Sequence, residues 1–313
     1  ETPNYVRNYN SNNIYQAINV WAEYKKSFND VHNLSLMAGY NQEEKTYAST
    51  SYTMTDLYDN EMPISDLAIN YKENEEGSDI WRVQGAFFRL NYDYRSKYLL
   101  EVNGRYDGSS KYAKHDRWAF FPSASVGWRI SEEKFFKSLS KVVDNLKIRA
   151  SIGALGNQIT DGNHSFMSII SGKVLTNYMM DGKIVNGLNI PTLPSMVTWE
   201  KVITKDIGLD WSLFKNRLFG SFDFYVRDTK DMVRSVTLPA VLGTSGGKEN
   251  IADMRTVGWE LEMTWKDRIQ NVLGSPLDYS LTVGLSDYQA EITKSDNPNG
   301  SLASGMYHKA GDM

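Results

Sequence analysis

Apolar and polar residues alternate along residues 86–130, and this pattern predicts three neighbouring β-strands. Successive side chains of a strand point to opposite faces, so alternation with a period of two separates an apolar face from a polar one. A tight turn at residues 95–97 and a polar loop at residues 107–116 divide the strands. The residues on the apolar face include Phe88, Leu90, Tyr92, Tyr94, Tyr98, Leu100, Val102, Tyr106, Trp118, Phe120, Val126 and Trp128.

The length of these strands and the positions of their aromatic residues favour a sheet that spans a membrane. Strands of globular proteins usually contain about 5 to 6 residues, whereas about 10 tilted residues cross the apolar band of an outer membrane. Tyr94 and Tyr98 flank the tight turn on the apolar face, and Tyr106 and Trp118 flank the opposite loop. Such aromatic girdles are typical of outer-membrane barrels, although a large soluble β-sandwich shares the alternation.

Further segments show the same alternation, so the sequence predicts about ten antiparallel strands in all. Residues 43–79 are polar and acidic and are predicted to form a solvated loop. Ser131 is predicted to cap a short helix after the fifth strand, and residues 157–197 are predicted to form a large loop. The predicted strands lie near residues 18–25, 34–40, 86–94, 98–107, 118–130, 146–154, 203–213, 218–226, 257–265 and 279–286.

The connections between the predicted strands alternate in length. Short connections follow the odd-numbered strands, and long connections follow the even-numbered ones. Outer-membrane barrels have short periplasmic turns and long extracellular loops, whereas a sandwich with Greek-key crossings has no reason to collect its long loops at one end. The pattern therefore predicts an all-β, antiparallel transmembrane β-barrel. We expect its lipid-facing residues to include Phe88, Leu100, Val126, Leu209, Phe222 and Leu261.

Composition narrows the functional classes. The 313 residues carry 34 basic and 38 acidic side chains without a polybasic cluster, so nucleic acid is not an expected partner. The absence of Cys excludes disulfides and thiol catalysis within these residues. No apolar run reaches about 18 residues, so a transmembrane helix is not predicted. The chain lacks an initial Met and ends in a loop-like segment, and we expect it to be a fragment.

Several segments resemble the SusC/RagA-type TonB-dependent transporters of the outer membrane. RLNYDYRSKYLLEVNGRYDGSSKYA, RWAFFPSASVGWRISEEKFF and VDNLKIRASIGALGN are similar to that family in order and spacing. The later segments WEKVITKDIGLDWSLFKNRLFGSFDFY and NIADMRTVGWELEMTW are similar to it as well. The resemblance implies that residues 1–313 form a single, partial barrel domain, with about ten of about 22 strands. The plug domain, the TonB box and the barrel ends would then lie outside this chain.

The resemblance also implies a function. Members of this family import oligosaccharides or oligopeptides across the Gram-negative outer membrane, with a SusD-like surface lipoprotein as the lid and the TonB complex as the energy source. It implies contact with outer-membrane lipid and with a glycan or peptide substrate, and no cofactor. The alternative is a soluble or surface carbohydrate-binding or adhesin-like β-protein, which would use exposed aromatic residues on its loops.

Two sets of residues are candidates for the site. Charged residues of both signs on the polar face are predicted to form a wet wall that pairs internally or contacts a plug. Aromatic residues in the loops could stack on sugars or pack against a lid. The wall residues are Arg89, Asp93, Glu101, Arg105, Arg129, Arg149 and Arg227. The loop residues are Tyr47, Tyr58, Tyr178 and Trp199.

Catalytic and metal sites are not predicted. Glu260 and Glu262 share one strand face, but a polar barrel wall presents carboxylates at that spacing without any catalytic role. The histidines are far apart in sequence and lack the spacing of a metal site. They are His32, His115, His164 and His308. We therefore expect that the chain is not an enzyme.

Overall fold

One antiparallel sheet of ten strands dominates the computed structural model. The structure describes residues 5–59, 61–62, 64–158, 162–164, 166–167, 174–188, 193–239, 241, 246–296, 301–302 and 306–307. The ten strands are β1 (Tyr5–Phe28), β2 (His32–Leu57), β3 (Ala68–Tyr94), β4 (Tyr98–Ser109), β5 (Trp118–Arg129), β6 (Val143–Asn157), β9 (Glu200–Leu213), β10 (Leu218–Ser235), β11 (Lys248–Val272) and β12 (Ser275–Ser295). Two separate hairpins pair β7 (Val174–Met180) with β8 (Lys183–Leu188), and β13 (Ser301–Leu302) with β14 (Met306–Tyr307).

The strands of the large sheet follow one another in sequence order. Each pairs antiparallel with its neighbours, from β1 through β6 and then from β9 through β12. Within this sheet, the described residues contain no Greek-key crossing. The shortest strands of the large sheet, β4 and β5, have 12 residues each, which exceeds the length that crosses an outer membrane at the usual tilt of a barrel strand. The predicted antiparallel arrangement of about ten strands is therefore confirmed.

The register keeps the two faces separate across the sheet. Leu100 on β4 pairs with Tyr92 on β3 and Val126 on β5, so three apolar side chains share a face. Because directly paired residues lie on the same side of a sheet, the pairing extends this apolar face across β6 and β9 to β12. All residues predicted to face lipid lie on it, namely Phe88, Leu100, Val126, Leu209, Phe222 and Leu261.

The alternation of short and long connections holds with one exception, because the connection after β5 spans residues 130–142 and is longer than the connections after β2 and β4. Short turns at residues 29–31, 95–97, 214–217 and 273–274 lie at one end of the sheet. Arg95 and Ser96 both have positive φ angles, of 54° and 56°, which suit a tight turn between twisted strands. Strands β2, β4, β6 and β10 end at the opposite edge of the sheet, where the connections 58–67, 110–117, 158–199 and 236–247 begin.

The prediction of a solvated loop at residues 43–79 is wrong. Strand β2 continues to Leu57 and β3 begins at Ala68, so most of this segment is paired strand. The sheet extends beyond the apolar band here, where Glu44 and Arg82 replace apolar residues on the outward face. Both faces are polar in this extension, and the alternation that reveals a membrane strand is therefore missing.

The connection between β5 and β6 differs from the predicted capped helix. It contains two short 3-10 helices, Ile130–Glu132 and Lys134–Leu139. Ser131 lies inside the first of them, and neither helix has a side-chain cap. Glu133 separates the two in an extended conformation, with φ −79° and ψ 147°. The segment therefore forms two short 3-10 helices instead of an α-helix.

Glu133 is held in place by residues at the edge of the sheet. Its carboxylate accepts hydrogen bonds from the Tyr98 hydroxyl at 2.8 Å and from Trp128 Nε1 at 3.3 Å. Lys97 Nζ lies 3.3 Å from its other oxygen. Hydrogen bonding from Tyr98, then from Trp128 and Lys97, holds the pKa of Glu133 below its ordinary value. The contacts fasten this connection to the aromatic residues at the short-turn end of the apolar face.

The predicted large loop at residues 157–197 is corrected in part. Its described portion contains the β7–β8 hairpin, with a turn at Asp181 and Gly182. Much of the remaining segment lies outside the described residues. No helix in the described part of the chain is long and apolar enough to cross a membrane.

The assignment of the two faces predicts that the same substitution has a large effect at one position and a small effect at the next. Ala124 lies on the apolar face, midway along β5 between the aromatic residues Phe120 and Trp128. Ala124→Arg should destabilise the complete protein in bilayers by about 2 to 4 kcal/mol. Ser125→Arg is the control, because Ser125 lies on the polar face opposite Glu101 and should change stability by less than about 1 kcal/mol. Equal losses in the free energy of unfolding would contradict the assignment.

Candidate functional site

The polar face of the sheet carries a cluster of charges centred on Arg149. Arg149 on β6 pairs with Gly208 on β9. Its Nε lies 3.1 Å from Asp210 Oδ1, its Nη1 lies 3.2 Å from Asp206 Oδ1, and its Nη2 contacts Asp223 Oδ1. One guanidinium therefore joins carboxylates from two further strands. We call Arg149, Lys147, Asp206, Asp210 and Asp223 the Arg149 cluster.

Gly208 makes this geometry possible. A Cβ at this position would collide with Arg149 Cζ and lie 2.6 Å from Asp223 Oδ1. Because glycine has no side chain, the guanidinium passes over β9 and reaches Asp223 on β10. Lys147 adds a second cation, with Nζ 2.7 Å from Asp210 Oδ2. The cluster side chains are between 17% and 31% exposed, so their charges are partly withdrawn from water.

A second chain of polar contacts lies on β3 and β4. Arg89 Nε donates to Asn103 Oδ1 at 2.8 Å, and Asn103 Nδ2 donates to Glu101 Oε1 at 2.7 Å. Arg105 donates to Asp107 through two nitrogens, at 3.1 Å and 2.8 Å. Glu101 and Arg149 both line a cavity of about 460 Å³. The small residues Ser125, Gly127 and Ser151 also line this cavity.

The remaining predicted wall residues belong to neither group of contacts, but Asp93 lines the same cavity of about 460 Å³ as Glu101 and Arg149. Asp93 accepts a hydrogen bond from the backbone N–H of Ser96 at 2.6 Å and so stabilises a short turn. The Arg227 guanidinium lies 5.3 Å from the centroid of the Tyr225 ring. Arg129 lies at the end of β5, where its backbone N–H donates to Lys97. The structure thus brings Asp93, Glu101 and Arg149 to one cavity and gives Arg129 and Arg227 separate surroundings, and the role of the whole set as a wall stays a prediction.

The predicted loop aromatic residues are also spread apart. Tyr47 lies on β2, and its hydroxyl contacts that of Tyr9. Tyr58 lies in the connection after β2 and is 85% exposed. Tyr178 lies on β7, and its side chain is outside the described part of the structure. Only Tyr58 presents a freely exposed ring among the described members of this set, and substrate or lid contact stays a prediction for all of them.

Trp199 occupies a buried position that the sequence did not indicate. Its ring is only 3% exposed and lies 5.2 Å from the Tyr112 ring and 5.4 Å from the Phe121 ring. Its Nε1 donates to the backbone oxygen of Arg117 at 2.9 Å. A substrate could stack on this ring only after the contacts open. The apolar cluster around it consists of Tyr112, Phe121, Val197, Trp199 and Val233.

A further cavity lies beside this apolar cluster, towards the long-loop end of the polar face. Its volume is about 420 Å³, and Trp81 and Trp199 contribute to its lining. The Trp81 ring lies 6.5 Å from that of Tyr15 and 5.4 Å from Lys111 Nζ. Charged and amide side chains complete the lining, among them Glu43, Arg105, Asp107, Asn41 and Gln158. Such a mixture suits a ligand rich in hydrogen-bonding groups.

The sequence prediction found Arg149 but missed its partners. Asp206 and Asp210 flank Gly208 with the period of two that places all three residues on one face of β9. Asp223 occupies the polar face of β10. The alternation of these residues along β9 and β10 was the sequence signal that could have identified the partners of Arg149. The sequence could not provide the register between β6 and β9, which brings the carboxylates to Arg149.

Removing the central cation should destabilise the sheet. Arg149→Gln would leave three carboxylates close together with one fewer counter-ion, so we expect a loss of about 1 to 3 kcal/mol in the free energy of unfolding. Arg217→Gln is the control, because Arg217 is 54% exposed and pairs with Asp267 alone among the described residues. Its loss should stay within about 1 kcal/mol. Adding Asp223→Asn to Arg149→Gln should recover part of the loss, and a further loss would contradict the interpretation.

Comparison with known proteins adds family information to this geometry. Residues 2–306 match the family described as TonB dependent receptor-like, beta-barrel. TonB-dependent receptor P39 of Formosa agariphila is 32% identical over 246 residues, which are 78% of this chain and 23% of that protein. TonB-dependent receptor SusC of Bacteroides thetaiotaomicron is 30% identical over 72% of this chain and 22% of that protein. The chain thus spans about a quarter of the curated relatives it matches.

A solved structure shows the same fold. The structure of the RagAB peptide transporter superposes with a TM-score of 0.79 at 22% identity, over 98% of this chain and 33% of that chain. These relatives are receptors and a transporter, which agrees with the prediction that the chain is not an enzyme. The match over residues 2–306 confirms the resemblance found in the sequence: the chain belongs to the TonB-dependent receptor β-barrel family, whose members lie in the outer membrane.

Proposed function

We propose that the complete protein is an outer-membrane active transporter that imports oligosaccharides or oligopeptides. The observation that carries this proposal is a long-stranded sheet with a continuous apolar face and an opposite face that carries paired charges. Apolar residues on the outer face are substantially exposed, for example Val126 at 54% and Ile207 at 62%. A lipid bilayer would cover such a face, while a water-filled lumen suits the polar one.

The proposal includes a plug and an external energy source. A barrel of about 22 strands is wide enough to leave an open channel unless its lumen is plugged. We propose that a plug and a TonB box lie elsewhere in the complete protein. The Arg149 cluster and the Arg89–Asn103–Glu101 chain would then form the wall that faces the plug. The remaining predicted residues, Asp93, Arg105, Arg129 and Arg227, would belong to the same wall.

We further propose a SusD-like lipoprotein as partner at the long-loop end. The support is the similarity to SusC and to RagAB, the latter solved as a peptide importer in closed-closed and open-open states. The long connections and the cavity lined by Trp81 lie at this end of the sheet. Tyr58, with its exposed ring, and Tyr47, Tyr178 and Trp199 are candidate contacts for the substrate or the lid.

A soluble carbohydrate-binding or adhesin-like protein is the alternative function. It would require another protein layer over the apolar face, because exposed apolar patches of this extent are rare on soluble monomers. The described residues of this chain provide no such layer over Leu100, Val126 or Phe222. The alternative therefore has less support than a lipid-facing barrel.

Nutrient uptake by a deletion strain tests the proposed function. Deleting the gene should abolish growth on one class of oligomer, either glycan or peptide, and leave growth on the corresponding monomer unchanged. The intact gene should restore growth only in cells with a working TonB complex. Unchanged growth on every oligomer, or restoration without TonB, would contradict the proposal. The class of oligomer that is lost identifies the cargo.

A further inference from the structure

The cavity of about 420 Å³ opens on the polar face at the long-loop end of the sheet. A row of three paired residues lies at its base, with Asn41 on β2 opposite Gly85 on β3, and Gly85 opposite Asp107 on β4. Asp107 follows Tyr106 of the apolar face, so the row belongs to the polar face. A Cβ at Gly85 would collide with Asp107 Oδ1, and the glycine therefore leaves room for this carboxylate.

Neighbouring side chains already engage both acids of the lining. Asp107 accepts two hydrogen bonds from Arg105, at 3.1 Å and 2.8 Å. Glu43 accepts a hydrogen bond from the Tyr15 hydroxyl at 3.0 Å, and its other oxygen lies 3.5 Å from Asn41 Nδ2. The Arg105 side chain stays 48% exposed, so its remaining donors can reach a ligand in the cavity.

Lys111 is a half-buried cation of this cavity that has no carboxylate partner. Its Nζ lies 5.4 Å from the centroid of the Trp81 ring, and its side chain forms no ion pair with the described residues. Its backbone N–H donates to Oγ of the fully buried Ser109 at 3.3 Å, which fixes its position after β4. Lys45 pairs with Trp81 across β2 and β3 and adds a second cation on this face. Together with the Arg105–Asp107 pair and Glu43, the two lysines give this end of the polar face a surplus of positive charge.

An amide and two aromatic rings complete the surroundings of Lys111. Gln158 lines the cavity, and its Oε1 accepts a hydrogen bond from the Ser109 hydroxyl at 2.9 Å. This bond orients the amide, and its Nε2 has no acceptor in the described part of the chain. The Trp81 ring lies 6.5 Å from the Tyr15 ring at an interplanar angle of 50°. The cavity thus combines an aromatic surface with an ammonium group and amide donors.

We propose that this cavity binds an anionic sugar unit of an oligosaccharide cargo, and that Lys111 selects its carboxylate or sulfate group. The inference rests on the proposed transport function and narrows the cargo. The C–H face of a sugar ring packs on the aromatic surface, while its hydroxyl groups bond to the exposed donors of Arg105. The anionic group accepts charge-assisted hydrogen bonds from Lys111 Nζ and a further bond from Gln158 Nε2.

The surroundings of the cavity favour an oligosaccharide over an acidic peptide. An extended peptide is commonly bound through the free backbone groups of a strand edge. At the base of this cavity β3 is paired on both sides, with β2 and with β4, so it offers no such edge. Val83 is the one aliphatic side chain among the described residues of the lining, which provides no apolar pocket for peptide side chains.

Calorimetric binding to the complete protein in detergent tests the proposal. The panel pairs uronate oligosaccharides with their carboxyl-reduced forms and sulfated oligosaccharides with their desulfated forms, and it includes oligoglutamate peptides. The protein should bind at least one acidic oligosaccharide about tenfold more tightly than its neutral counterpart. Added salt should reduce this preference, because it screens the charges. Equal affinity for every acidic and neutral pair, binding of no acidic oligosaccharide, or binding of oligoglutamate alone would overturn the proposal.

Variants of Lys111 separate selection from folding. Lys111→Gln should weaken binding of the acidic oligosaccharide about tenfold and change the affinity for its neutral counterpart less than about twofold. Lys111→Arg retains the charge and should keep more of the preference than Lys111→Gln does. Lys114→Gln is the control, since Lys114 is an exposed cation in the same connection and does not line the cavity. Heat-modified mobility in gel electrophoresis would establish that each variant is folded, and equal effects of the Lys111→Gln and Lys114→Gln variants would contradict the assignment.

Growth of the deletion strain distinguishes a failure of this inference from a failure of the transport proposal. If the deletion abolishes growth on a neutral glycan or on peptides alone, transport stands and the anionic sugar site is wrong. If the acidic oligosaccharide binds with the expected dependence on Lys111 and the deletion changes no growth, the site stands and the transport proposal is wrong.

Discussion

Backbone hydrogen bonding is the constraint on which this structure depends. Inside a bilayer, each peptide N–H and C=O must form its hydrogen bond within the protein. Among β-structures, a closed antiparallel barrel meets this requirement. The pairing of β1 with β2 runs unbroken from Tyr5 opposite Thr55 to Phe28 opposite His32. Irregular register in the large sheet occurs near strand ends, as at Thr229 on β10. The apolar band therefore has an uninterrupted ladder, and a slip of one residue would exchange its two faces.

The separation of faces explains where charge is tolerated. Carboxylates on neighbouring strands come within reach of one another wherever the polar face continues across the sheet. Arg149 neutralises part of this repulsion because its guanidinium contacts Asp206, Asp210 and Asp223. Gly208 leaves space for that guanidinium. The same ladder therefore determines both the apolar surface and the ion pairs of the opposite wall.

The sequence predicted those parts of the fold in which one face of the strand is apolar and the other is polar. Alternation identified the central strands because lipid and lumen demand opposite residue types. It failed at residues 43–79, where β2 and β3 carry polar residues on both faces, and at Ser131, where two short 3-10 helices replace the predicted α-helix. The partners of Arg149 and the burial of Trp199 depend on long-range register and loop packing. Local sequence patterns contain no information about the register between distant strands or about the packing of loops.

The most direct test of this account is the accessibility of adjacent positions along β4 in the complete protein in lipid vesicles. These 313 residues contain no cysteine, so single cysteines at Leu100, Glu101, Val102 and Asn103 can carry spin labels one at a time. Oxygen should relax the labels at 100 and 102 more strongly, and a water-soluble nickel chelate should relax those at 101 and 103. Equal accessibility at all four positions, or the reverse alternation, would contradict the assignment of the lipid and lumen faces.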